Sequence, residues 1–170
     1  MSLKKDEISC KGCGGCRNAK GDIFLSPLDL YRIGCHLHLP VRDIIQTYCT
    51  FAKTNGIQLP QVKMKTKVKG RKCVFYNNGC AIKAARPYFC EHGHTDPQWQ
   101  KYMDPLNGAL YMLEGLQGDT RESLISLVRR EFYEEYELAK EFGPQIEKNC
   151  EEILNMIRTL RKISRQKMAV

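Results

Sequence analysis

Nowhere in the 170-residue chain do 18 apolar residues run together, so no helical membrane span is predicted. The opening residues, MSLKKDEISC, carry charge but lack the apolar stretch at the heart of a secretory signal. These two absences predict a cytoplasmic protein with no membrane partner. The sequence also lacks a Gly-rich phosphate loop, a nucleophile elbow and an HExxH pair, and with them the familiar motif-based routes to nucleotide binding and hydrolysis. No catalytic residue is assigned and no reaction is specified. Internal repeats and low-complexity tracts are absent as well.

Cysteine, by contrast, is plentiful. There are nine, an odd number, and thiols in a reducing cytosol rarely persist as structural disulfides, which leaves metal ligation as the leading explanation. The length and the 42% hydrophobic content suit one ordinary core, burying roughly two-thirds of its unfolded surface, with an appendage. A net charge of +8 permits attraction to nucleic acid or another polyanion, but that attraction is independent of sequence and names no partner.

Helix signals begin at Ser26-Pro27-Leu28-Asp29, where Ser26 can cap, Pro27 suits a first turn and Asp29 favours the positive end. Leu28, Tyr31 and Cys35 form one stripe; Pro40 interrupts; and Val41 to Ala52 resumes with Ile44, Ile45, Tyr48, Cys49 and Ala52 predicted to face inward. The alternation VKMKTKVK predicts a half-buried strand over 62–69, with Val62, Met64, Thr66 and Val68 on one face and Lys63, Lys65, Lys67 and Lys69 on the other. Lysines so placed suit either phosphate contacts or the protection of an edge strand. Asn78-Gly79 within CVFYNNGCAIK predicts a hairpin with a type I′ turn. A long helix is predicted from Asp119 through Leu124, Val128, Phe132 and Tyr136 to Phe142, and another after Gly143-Pro144 with Ile146, Cys150, Ile153, Ile157 and Leu160 on its stripe.

The chemistry concentrates in Cys10-x2-Cys13-x2-Cys16, whose glycines Gly12, Gly14 and Gly15 let the backbone curl so that the sulfurs converge on one centre. Three thiolates complete neither a tetrahedral zinc site nor a cubane cluster. Cys73, Cys80 and Cys90 are the candidates to complete it, being at the entry, turn and exit of the hairpin region rather than on a helical stripe. A regular two-residue turn pairs Cys80 with Asn77 and leaves Cys73 about 13 Å along the partner strand. Either the turn is wider, or Cys73 and Cys80 have different roles. Cys35, Cys49 and Cys150 are at helical spacing among apolar neighbours and are assigned to the core. Six clustered thiols exceed the four of a mononuclear zinc and favour an iron-sulfur cluster, with zinc as the alternative.

These residues carry a family resemblance. Residues 10 to 92 resemble the CxxCxxCC or YkgJ-like cysteine-cluster proteins, described as a zinc- or iron-chelating domain. The likeness rests on the Cys10-to-Cys16 run, Ser26-Pro27-x-Asp29, Asp43-Ile44-Ile45-x3-Tyr48, and the pattern at Cys73, Phe75, Gly79, Cys80, Ile82, Arg86, Pro87 and Cys90. Two departures stand out: the family's doubled cysteine is Cys16-Arg17, and the arginine that usually follows the last cysteine is Glu91, with His92 and His94 beyond. Those histidines suit a replacement ligand or a surface loop. The resemblance also implies a second class of function, since flagellin lysine methylases contain a similar domain: protein methylation with S-adenosylmethionine, or assistance to it. A third is a zinc-stabilised adaptor for nucleic acid or protein that uses the lysine strand.

The expected architecture is an α-rich α+β fold. Residues 1–105 form a cysteine-cluster domain of short helices and a small antiparallel hairpin, and 106–170 form a C-terminal helical hairpin packed on it, with charged faces on which a protein partner could dock. The expected function is metal binding, in redox chemistry or metal handling, through Cys10, Cys13, Cys16, Cys73, Cys80 and Cys90.

Overall fold

A computed structural model describes residues 22–52, 59, 61–67, 72–77, 79–113 and 118–168. They form an α-rich α+β fold with two compact units. Residues up to Ala52 join Gln61–Asp96 in the first, and Leu59 joins the chain from Pro97 onward in the second.

The first unit opens with β1 (Phe24–Leu25), then α1 (Pro27–Leu37) and α2 (Val41–Tyr48). Ser26 closes a capping box: its hydroxyl accepts from the Asp29 amide, while the Asp29 carboxylate accepts from the Ser26 amide. The inward face of α1 is Leu30 and Ile33, both fully buried, whereas Leu28, Tyr31 and Cys35, the predicted stripe, are half-buried. Both sets obey helical spacing, and neighbouring elements decide which turns inward.

Helix α2 stops at Tyr48, short of the predicted Ala52. The chain becomes β2 (Cys49–Phe51), which pairs antiparallel with β3 (Val62–Met64). Ile44 and Ile45 are buried as expected, while Tyr48 and Ala52 are half-buried. Pairing with β3 overrides the helical pattern because Tyr-Cys-Thr-Phe is also good strand sequence.

β3 is shorter than the predicted strand and central, in the order β1-β3-β2. Val62 and Met64 face the core, but Thr66 is exposed and forms only an isolated bridge to Cys73; Val68 and Lys69 lie outside the described residues. Lys63, the one lysine within β3, therefore does not guard a sheet edge. Among the described residues on either side of the predicted turn there is a single bridge, Tyr76↔Cys80, rather than a ladder. The expected Asn77–Cys80 pairing slips by one residue, and the turn is wider. A 3-10 turn (Lys83–Ala85) and α3 (Tyr88–His92) complete the unit.

The second unit is built from α4 (Pro97–Tyr111), α5 (Gly118–Tyr133) and α6 (Phe142–Met168), with α4 and α5 each packed on α6. Trp99, Met103, Leu106 and Leu110 form the buried stripe of α4. This helix had no counterpart in the sequence reading, although its four-three-four spacing is present; Pro105 inside it masks the pattern. Helix α5 ends nine residues before the predicted Phe142, which instead begins α6. Asn149 on α6 donates to the carbonyls of Glu131 and Glu135, satisfying the groups left open where α5 unwinds. Tyr136 remains buried from the connecting segment, its hydroxyl donating to the Phe132 carbonyl.

Candidate metal centre

Cys10, Cys13 and Cys16 lie outside the described residues. Cys73, Cys80 and Cys90 all belong to the first unit, in three different settings. Cys73 is buried at 5% exposure, and its thiol donates to Met64 Sδ at 3.1 Å. That contact places it in the core. Cys80 is half-buried at its bridge to Tyr76, and Cys90 is half-buried in the middle of α3. Among the described residues no group of three or more His, Cys, Asp and Glu side chains is arranged to hold a metal ion. Those three cysteines do not by themselves make a site.

The segment carrying Cys80 and Cys90 has little regular structure, so what holds it determines where its thiols sit. Asp29 is the principal anchor. One carboxylate oxygen accepts from the amide and hydroxyl of Ser26 and the other from the Tyr88 amide at 2.9 Å, tying the start of α3 to the start of α1. Burial pushes the Asp29 carboxyl above its ordinary value, against the lowering effect of those hydrogen bonds. Phe24 on β1 meets Phe89 edge-on at 6.2 Å between ring centres, next in the chain to Cys90. Farther back, His36 Nε2 lies 3.4 Å from the carbonyl of Ala81, the neighbour of Cys80.

Beyond Cys90, α3 ends on Gly93 at φ 76°, whose amide donates to the Phe89 carbonyl. The left-handed cap needs glycine there. Helical i,i+4 spacing sets His92 over Tyr88, and the cap turns His94 back towards the same ring, with ring centres 4.0 and 5.5 Å from the tyrosine. Both histidines are exposed, as in a surface loop.

Arg86 is the residue sequence reasoning passed over. Its side chain is 11% exposed and lies 3.8 Å from Glu91, and its Nε is buried without a hydrogen-bond partner among the described residues. The Arg-Pro-x-x-Cys spacing was visible, but not the burial. Cys80 and Cys90 are half-buried thiols, a soft donor set of the kind that suits a thiolate-bound metal. Asp29 was read only as a helix-start residue; its second oxygen, on Tyr88, is a tertiary contact.

Cys49 and Cys150 behave as the core thiols expected of them: both are buried, and burial pushes each up to about 12, which disfavours the thiolate a metal needs. Cys35 is half-buried instead.

The lysine face is engaged within the chain. Lys63 pairs with Asp22, Lys65 donates to the Gln46 and Thr47 carbonyls at the end of α2, and Lys67 donates to the Tyr76 carbonyl. The charges around the α5–α6 connection are likewise paired locally, as in Arg130 with Glu131 and Lys140 with Glu137. No helix among the described residues is long and apolar enough to cross a membrane. Comparison of the chain with protein-family models, curated proteins and solved structures finds no match.

Proposed function

We propose that this is a cytoplasmic metal-binding protein in which Cys10, Cys13 and Cys16 combine with Cys80, Cys90 and Cys73 to hold an iron-sulfur cluster, or zinc in its place. The supporting observation is the junction of β1 with α3. Phe24 follows Cys16 by eight positions and its ring packs on Phe89, beside Cys90. Eight residues reach at most about 28 Å, so the chain leading from the first cysteine run joins the fold next to the last cysteine. The tether through Asp29 and Tyr88 fixes that neighbourhood without help from the metal.

Cys80 and Cys90 are the natural distal ligands. Cys73 joins them only if its thiol leaves Met64. An iron-sulfur cluster there would supply one-electron transfer and zinc would supply structural rigidity. The likeness of residues 10 to 92 to YkgJ-like proteins points in the same direction, and the internal pairing of Lys63, Lys65 and Lys67 weighs against an adaptor that contacts polyanions through them.

Anaerobic purification, visible absorption and analysis for iron, sulfide and zinc test the proposal. A brown, bleachable protein carrying iron and sulfide supports the cluster. A colourless protein loaded with zinc replaces it by the alternative, and one that binds neither metal overturns the function.

A further inference from the structure

The buried face of the small sheet gathers sulfur. β2 and β3 pair with Cys49 opposite Met64, and directly opposite residues of an antiparallel pair project to one face with Cβ atoms about 5 Å apart. Past β3 the chain runs beside Cys73, through the bridge Thr66↔Cys73 and the Val74 amide donating to the Lys65 carbonyl. The Cys73 thiol thereby reaches Met64 Sδ at 3.1 Å. Cys49, Met64 and Cys73 are each no more than 5% exposed.

Two thiols and a thioether are a donor set with a definite preference. Zinc takes thiolate, imidazole and carboxylate ligands, whereas a thioether beside thiolates suits Cu(I). The Cys73 hydrogen points at Met64 Sδ, and an ion in its place bonds to both sulfurs. Burial keeps the Cys49 thiol protonated while the site is empty, and the Lys65 ammonium opposes that effect. Bound Cu(I) displaces both thiol protons to solvent. The net negative charge left by one cation and two thiolates is answered by Lys65, which the Gln46 and Thr47 carbonyls hold in place.

Independently of the cysteine cluster above, we propose that Cys49, Met64 and Cys73 form a buried three-sulfur site for Cu(I). It uses Cys73 where the structure has it, in contact with Met64, and leaves Cys80 and Cys90 as the distal ligands of the cluster.

The test adds Cu(I) stepwise, under anaerobic conditions, to the full chain with carbon-13 in its methionine methyl groups, past nine equivalents, one for each cysteine. Met64→Leu identifies the Met64 signal. That signal is expected to shift with Cu(I) and to stay in place with Zn2+, while Met103, buried in the second unit, moves with neither. Cys49→Ala and Cys73→Ala are each expected to lose the shift, and Cys90→Ala to keep it. If an alanine variant fails to fold by circular dichroism, the contrast between Cu(I) and Zn2+ in the wild-type chain decides alone. An unmoved Met64 signal, a shift that survives in folded Cys49→Ala or Cys73→Ala, or its loss in folded Cys90→Ala overturns the site. An equal shift with Zn2+ also overturns it, and shows Cys73 leaving Met64 for the cluster; iron, sulfide and zinc analysis judges the cluster separately.

Discussion

Each of the two units is stabilised internally by different means. Helices of 15, 16 and 27 residues make up the second, and their contact faces are apolar: Leu106, Leu110, Val128, Phe132, Ile146 and Ile153 are all essentially inaccessible to solvent. Among the described residues the longest helix of the first unit has 11 residues, and its strands have two or three. Much of its chain is fixed by polar contacts, with Asp29 joining two helix starts and Lys65 closing α2. Apolar burial grows with the length of the packed faces, so a unit of short elements depends more on hydrogen bonds and, on the proposed function, on a metal cross-link.

Removal of metal is the largest way to break this contrast. On the proposed function it costs the first unit on the order of 10 kcal/mol, the scale of small zinc domains, and leaves the second nearly untouched. Trp99 is the single tryptophan and is buried in the second unit, so its fluorescence reports that unit alone. After chelation the tryptophan transition is expected to persist while far-ultraviolet dichroism loses amplitude at lower temperature; joint collapse of both signals contradicts the division.

Phe132→Ala is next. Its ring is fully buried and meets Trp99 at 4.9 Å, so truncation is expected to cost about 3–5 kcal/mol. Urea unfolding followed at Trp99 measures it, and the loss should be the same with and without chelator.

Asp29→Asn is expected to cost about 1–2 kcal/mol by weakening a cap and the Tyr88 tether. It also has a pH signature. Because the folded pKa is raised above the ordinary 3.8, the folded state binds the proton more tightly than the unfolded chain does. The contribution from this group is complete below about 3.8 and is lost as pH rises through the folded pKa. Wild-type stability relative to Asp29→Asn should therefore decline as pH rises from about 4; urea midpoints at a series of pH values measure it, and a widening advantage contradicts the dominance of burial.

Smaller effects sharpen the contrast among the thiols. Cys49→Ala and Cys150→Ala should each cost about 1 kcal/mol of packing with no loss of metal, whereas Cys90→Ala should release it; metal analysis beside thermal melts separates the two classes. Smallest is Lys65→Met, which removes the cation at the end of α2 and should cost about 0.5 kcal/mol, diminishing with added salt in the parent protein.

The sequence alone determined the features that rest on local chemistry. The Ser26 cap at the start of α1, the start of α2 at Val41 and the apolar stripe of α6 from Ile146 to Ile157 depend on residues within a turn or two of one another, and each appears where the pattern placed it. Cys49 and Cys150 were legible as core thiols from their neighbours. Tertiary structure decided what local chemistry leaves degenerate: which face of α1 turns inward, whether Tyr48–Phe51 ends a helix or begins a strand, the central position of β3, and the one-residue slip that sets Cys80 opposite Tyr76. It also decided that Cys73 points at Met64 and that Arg86 is buried. Helical spacing or strand alternation specifies a period but not a partner, and the partner determines burial, register and the surroundings of each charge and thiol.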